Sequence, residues 1–110
     1  MLAGCREAAV TPTPGLPPEV AAGQQLFSEH CAACHALSEE MIIVGPSLAG
    51  ISQHAGERQP GQDARQYILN SILNPSDYIV EGFDNSMPSS FGRRLSGEEI
   101  DALVAFLLTQ

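Results

Sequence analysis

Two cysteines and a histidine fall within five residues, Cys31-Ala32-Ala33-Cys34-His35. Thiols three positions apart at the end of a helix lie on nearly the same side, so both can add to the vinyl groups along one edge of a porphyrin. The next residue, His35, is then turned beneath the ring, where its imidazole can bind iron. This C-x-x-C-H spacing is the attachment pattern of c-type haem. Three other chemistries use the same residue types. A thioredoxin-like redox pair belongs beside a βαβ pattern, and no alternating strand pattern is present. A zinc site needs two more Cys or His ligands at similar spacing, which the chain lacks. The third alternative is a pair of core cysteines with an incidental histidine.

Iron held by His35 has a sixth position to fill. Met87 is the leading candidate, 52 residues downstream in the polar loop Asn85-Ser86-Met87-Pro88-Ser89, where a purely packing role would be unusual for methionine. Met41 lies only six residues past His35, inside Met41-Ile42-Ile43-Val44, too near to reach the opposite ring face and expected to pack. His30 immediately precedes Cys31, is tied to the same ring edge and reads as a helix-end residue. His54 is the rival ligand, although a surface or propionate-bonding role suits it better. The choice has consequences, because a thioether sulfur favours ferrous iron and raises the potential whereas a second imidazole lowers it. With Met87 unbound, a five-coordinate haem could instead reduce peroxide or sense a gas.

Helices must position these groups. Pro18 suits a first helical position, and Val20, Gly23, Phe27 and Cys31 follow at spacings of three or four, predicting a helix over 18–32. Asp63 with Gln66 forms a capping box ahead of Tyr67, Ile68, Ser71 and Ile72, and Asn74-Pro75 stops the run, predicting a helix over 63–73. Ser96 with Glu99 caps the strongest stripe, Ile100, Leu103, Val104, Leu107 and Leu108, predicting a helix over 97–109. The segments 35–62 and 75–95 read as long polar loops. Two such loops count against a compact fold unless a large cofactor gives them a common surface.

The chain has 110 residues, with 13 acidic against 5 basic side chains for a net charge of −8, and 44% hydrophobic but only 5% aromatic residues. One small domain fits that length, with a modest core of its own. All five basic residues are arginines and there is no lysine, which excludes an ordinary electrostatic nucleic-acid binder. The longest apolar runs, Met41 to Val44 and Leu103 to Leu108, are far shorter than the roughly 20 residues a bilayer requires. Residues 1–17 read as a Pro-rich tether, with the folded domain over 18–110. The 13 residues from Arg6 to Pro18 hold four of the eight prolines. In extended geometry that stretch could reach roughly 40 Å.

Taken together, Gly23 with Phe27, Cys31 to His35, Gly45-Pro46-Ser47-Leu48, Met87-Pro88 and a capped last helix carrying Phe106 resemble a class I c-type cytochrome over residues 18–110. The resemblance implies an all-α fold, three to five helices wrapped around one covalent haem c, and single-electron transfer rather than enzymatic turnover. It implies that Gly23, Phe27 and Phe106 meet where the first helix crosses the last, and that the Pro46 carbonyl accepts the free ring N–H of His35. It places Tyr67 near the axial sulfur, and makes Arg58 and Arg65 candidates for pairing with haem propionates. The lysine ring of the mitochondrial branch is missing, and Arg93-Arg94 is the only local positive patch. The segments 79–83 and 91–96 look more like bacterial domains attached to respiratory or photosynthetic membrane complexes.

Leu2-Ala3-Gly4-Cys5 is similar to a bacterial lipobox, in which the cysteine carries acyl chains, although no apolar run precedes it in this chain. Several acyl chains would hold the domain to a membrane stably, and the tether would let the haem swing. The expected location is the periplasmic or extracytoplasmic face of the membrane. The expected partners are redox proteins or a membrane electron-transfer complex, docking briefly through a small interface around an exposed haem edge.

Overall fold

The computed structural model describes residues 13–39 and 41–110. Among these residues five α-helices follow in order: α1 (Pro18–His30), α2 (Ile51–His54), α3 (Ala64–Leu73), α4 (Phe91–Arg94) and α5 (Gly97–Leu107), with 3-10 turns at Ala55–Glu57 and Pro75–Asp77. No strand occurs among the described residues, so the chain is all-α as its sequence implies. Cys5 lies outside the described residues.

The three long helices match the expected ones to within two residues at each end. Capping explains their starts. The Asp63 side chain accepts from Gln66 N–H while the Gln66 side chain accepts from Asp63 N–H, at 2.8 and 2.9 Å, and Ser96 and Glu99 exchange the same pair of bonds at 3.0 and 2.8 Å. These satisfy donors that a helix start leaves without partners. Pro18 stands at the start of α1, where its missing N–H costs nothing. α1 ends at His30 rather than at residue 32 because the regular ladder breaks off there: Ala32 N–H reaches back five residues to share Phe27 O with Cys31 N–H, and Cys34 and His35 N–H both reach Cys31 O. Thr13, in the Pro-rich stretch, is bonded to α1, its N–H donating to Gln24 Oε1 at 3.0 Å.

α1 and α5 cross at Gly23. This residue is buried, and a Cβ there would fall inside the radius of the Ala102 carbonyl oxygen and 2.7 Å from Phe106 Cβ. The close approach stacks Phe27 on Phe106 with ring centroids 5.7 Å apart. Leu103 and Val104 of α5 are completely enclosed, and Ile68 and Ile72 of α3 close the same core.

Both expected long loops contain helix. α2 and the 3-10 turn after it interrupt 35–62, and the 75–77 turn and α4 interrupt 75–95. None of these short pieces has a side-chain cap. Pieces of three or four residues cannot offset the cost of helix nucleation from propensity. They are held by burial of one or two residues each: Ile51 and Ala55, Pro75, and Phe91. A second expectation also changes. Met41 does not pack; Met41, Ile42, Ile43 and Val44 are each at least half exposed.

Candidate haem-binding cleft

The end of α1 and the turn after it present the two cysteines and His35 to one side of the core. The loop that follows is folded back onto them. Val44 and Gly45 N–H both donate to Cys34 O, at 3.2 and 2.7 Å, and Leu48 N–H donates to Ala36 O at 2.8 Å. This brings the Pro46 carbonyl to 2.8 Å from His35 Nδ1, which donates to it and leaves Nε2 as the ring nitrogen with a free lone pair. Gly45 lies against the ring, and a Cβ at this position would stand 2.5 Å from His35 Cε1. Only glycine leaves the imidazole room to reach Pro46.

These groups open onto a cleft of about 350 Å³ lined mainly by apolar side chains. His30, Cys31, Cys34 and His35 line it from the first third of the chain, Tyr67, Ile68 and Ile72 from α3, and Met87 and Pro88 from a loop far along the sequence. Met87 is half-buried and packs against the core. Tyr67 is buried and meets Tyr78 edge to face at 5.9 Å, so two phenol-bearing rings border the cleft where the sequence pointed to one. Tyr78 opens the segment that leads to Met87, and its only signal in the sequence is that position. His30 lies edge-on to Phe91 at 6.1 Å.

The residues suit a large planar group carrying carboxylates. Arg58 lines the cleft, and its Nη1 is buried without a hydrogen-bond partner. A buried guanidinium nitrogen of this kind normally has an acceptor, and a propionate is of the right charge and shape. Arg65 turns away from the cleft: it is half exposed and lies 3.5 Å from Asp101. His54 is exposed and does not border the cleft, so it is not placed to compete for iron.

The alternatives weighed for the two cysteines find no support. Burial, then the neighbouring Cys34, pushes the Cys31 thiol from 9.0 up to about 11. An attacking redox thiol has its pKa lowered, not raised. Among the described residues no cluster of three or more His, Cys, Asp or Glu could hold a metal ion, so the zinc reading gains no support from them. Two cysteines at the mouth of an apolar cleft are poorly used as simple core residues, because both remain partly exposed.

Comparison with known proteins agrees with this geometry. The family model described as cytochrome c matches residues 20–110. A cytochrome c6 from Synechococcus sp. is 30% identical over 98 residues, covering 89% of this chain and 76% of that protein. The cytochrome c6 of Diacronema lutheri is 29% identical over 94 residues, 84% of this chain and 96% of its own. A cytochrome c6-like protein of Nostoc sp. is 33% identical over 88 residues, 80% of this chain and 68% of its own. An engineered cytochrome c from Rhodothermus marinus has the same fold, with a TM-score of 0.55 at 23% identity over 97% of this chain and 91% of that one. The chain therefore belongs to the cytochrome c family, carries one covalently bound haem c and acts as an electron carrier.

Proposed function

We propose that this chain carries single electrons through a haem bonded as thioethers to Cys31 and Cys34 and ligated by His35 and Met87. In this reading the chain works outside the cytoplasm, tethered to a membrane through an acylated Cys5 and the Pro-rich stretch 1–17, and it exchanges electrons with membrane-associated redox partners. The supporting observation is that the two thiols, the imidazole with its Nδ1 held by Pro46, and the Met87 thioether all border one apolar cleft.

When bound, the haem supplies a one-electron ferric/ferrous couple. The protein's own groups tune and shield it. Pro46 O orients the His35 ring and raises its basicity, which favours the ferric state, while a thioether at Met87 favours the ferrous state. Arg58 offsets propionate charge, and the apolar lining from α3 keeps water from the group. Were His35 and Met87 both to hold the iron, no substrate would have a place to bind.

Mass spectrometry of the natively matured chain tests the attachment. The expected result is one haem mass, lost when Cys31→Ser and Cys34→Ser are combined; an unmodified native chain would refute it. Membranes that release the protein to salt without detergent would refute the anchor at Cys5.

Gly45→Ala should displace the His35 ring and weaken its bond to Pro46 O. A less basic imidazole stabilises ferric iron less, so the midpoint potential should rise, by tens of millivolts on the roughly 0.8 V scale of axial-ligand effects. An unchanged potential by spectroelectrochemical titration would show that the contact has no tuning role.

With a net charge of −8 before two propionates are counted, electron exchange with a basic partner should slow as salt rises, and exchange with an acidic partner should quicken. Stopped-flow rates from about 10 to 500 mM salt will show either trend, since the Debye length falls severalfold over that range. A flat profile would exclude electrostatic steering.

A further inference from the structure

Met87 is half-buried, yet its neighbours on either side, Asp84, Asn85, Ser86, Pro88 and Ser89, are exposed. Burial therefore holds the segment at Met87 and leaves its flanks to other contacts. Those contacts are few. Within the segment, Ser86 N–H donates to Asp84 O at 2.9 Å, closing a three-residue turn centred on Asn85. Among the described residues a single hydrogen bond joins 84–89 to the rest of the chain: Ser76 O–H donates to Asn85 Oδ1 at 3.1 Å. Ser76 is itself well anchored. It lies in the 3-10 turn Pro75–Asp77, whose Pro75 is buried and borders the cleft. Asp77 N–H donates to Asn74 O at 3.0 Å, and Asp77 Oδ2 accepts from Nδ2 of Asn70 in α3 at 3.1 Å. Asn70 Oδ1 in turn accepts from Asn74 Nδ2 at 2.9 Å. A line of polar contacts thus runs from α3, through the 75–77 turn, to a residue two positions before Met87.

We propose, resting on the reading of Met87 as an iron ligand, that Ser76 and Asn85 are positioning residues that hold the Met87 thioether in the cleft and set how often the sixth coordination position opens. A loop with few buried apolar contacts opens locally at low free energy, so each bond that fastens it counts. Pro88 confines Met87 to extended backbone, which leaves the freedom of the loop on the Asn85 side, where the bond to Ser76 acts. The 84–86 turn ties Asn85 closely to the segment that carries Met87. A movement that withdraws Met87 therefore carries Asn85 with it and breaks the Ser76 bond. The strength of that bond adds to the cost of opening, and one exposed hydrogen bond changes such an equilibrium by about fivefold. Asn70, Asn74 and Asp77 keep the Ser76 hydroxyl from following the loop outward, so the restraint is referred back to α3.

The test is the rate at which cyanide binds to the haem-loaded ferric protein, since cyanide enters only where Met87 has left. Ser76→Ala and Asn85→Ala should each raise that rate about fivefold. The double variant should raise it no further, because both changes remove the same bond. Ser76→Thr keeps the hydroxyl and should bind cyanide at the native rate. Gln25→Ala is the control: it removes another side-chain bond near the surface, to Glu29 on α1 at 3.0 Å, and should leave the rate unchanged. The near-infrared band of sulfur ligation should persist in every variant, as it must if Met87 is loosened and not lost. Native rates in both alanine variants, or single effects that multiply in the double variant, would overturn the proposal. So would an equal acceleration by Gln25→Ala, the mark of a general loosening of the fold. A native ferric protein that lacks the near-infrared band and takes up cyanide promptly would instead refute ligation by Met87 itself.

Discussion

Met87→Ala is expected to leave the sixth position of the iron open and lower the midpoint potential by a few tenths of a volt, a sizeable part of the roughly 0.8 V that axial ligands span. The direction follows from the donor: a thioether stabilises ferrous iron, and its removal favours the ferric state. The ferric spectrum should lose the weak near-infrared band that accompanies sulfur ligation and become high-spin. Added imidazole or cyanide should then bind promptly, where the native protein should resist both. Met87→His separates ligation from packing, because Met87 is also a half-buried side chain against the core. The histidine variant should stay low-spin and refuse added ligands, yet still show the lowered potential. Two outcomes would refute ligation by Met87: an alanine variant with the native spectrum, or a native protein that binds cyanide promptly. The second would also revive the five-coordinate reading.

The second large effect concerns stability. Gly23→Ala places a methyl group against the Ala102 carbonyl and 2.7 Å from Phe106 Cβ, where backbone, not a flexible side-chain end, must move. Separating α1 from α5 opens the packing of Phe27 on Phe106 and disturbs the fully enclosed Leu103 and Val104. A cost of about 3 kcal/mol is expected, at the upper end for overpacking, with the melting temperature of the holoprotein falling by on the order of 15 °C. Gly97→Ala is the matched control. Gly97 begins α5, and an added Cβ meets nothing within 4 Å. It should be neutral or stabilise by about 0.5 kcal/mol through the unfolded chain's lost freedom. Thermal melts followed by far-ultraviolet circular dichroism measure both. Equal effects at the two glycines would mean that the helix crossing tolerates separation.

Much of the site was legible because it is written in local chemistry. The cysteines and histidine act through a spacing of five residues, and two of the long helices announce themselves by caps whose partners are three residues apart. Met87 stood out as a candidate for a different reason: a methionine in a polar loop has no apolar pattern to explain it. The short helices α2 and α4 were not legible, since neither has a cap and each exists only because Ile51 or Phe91 is buried by parts of the chain distant in sequence. Arg58 and Arg65 looked alike in the sequence. Their burial separates them, one guanidinium nitrogen enclosed in the cleft without a partner and the other group half exposed beside Asp101.

By itself the amino-acid sequence pointed to the cofactor, the helical class and the candidate iron ligands, because these readings rest on side-chain chemistry and, Met87 apart, on spacings of three to five positions. The tertiary structure alone decided that Tyr78 joins Tyr67 at the cleft, that His54 and Arg65 stay out of it, and that Met41 to Val44 face solvent. Each of those depends on where loops come to rest against groups far away in the chain. Such contacts are set by burial and close packing, which no local pattern of residues encodes.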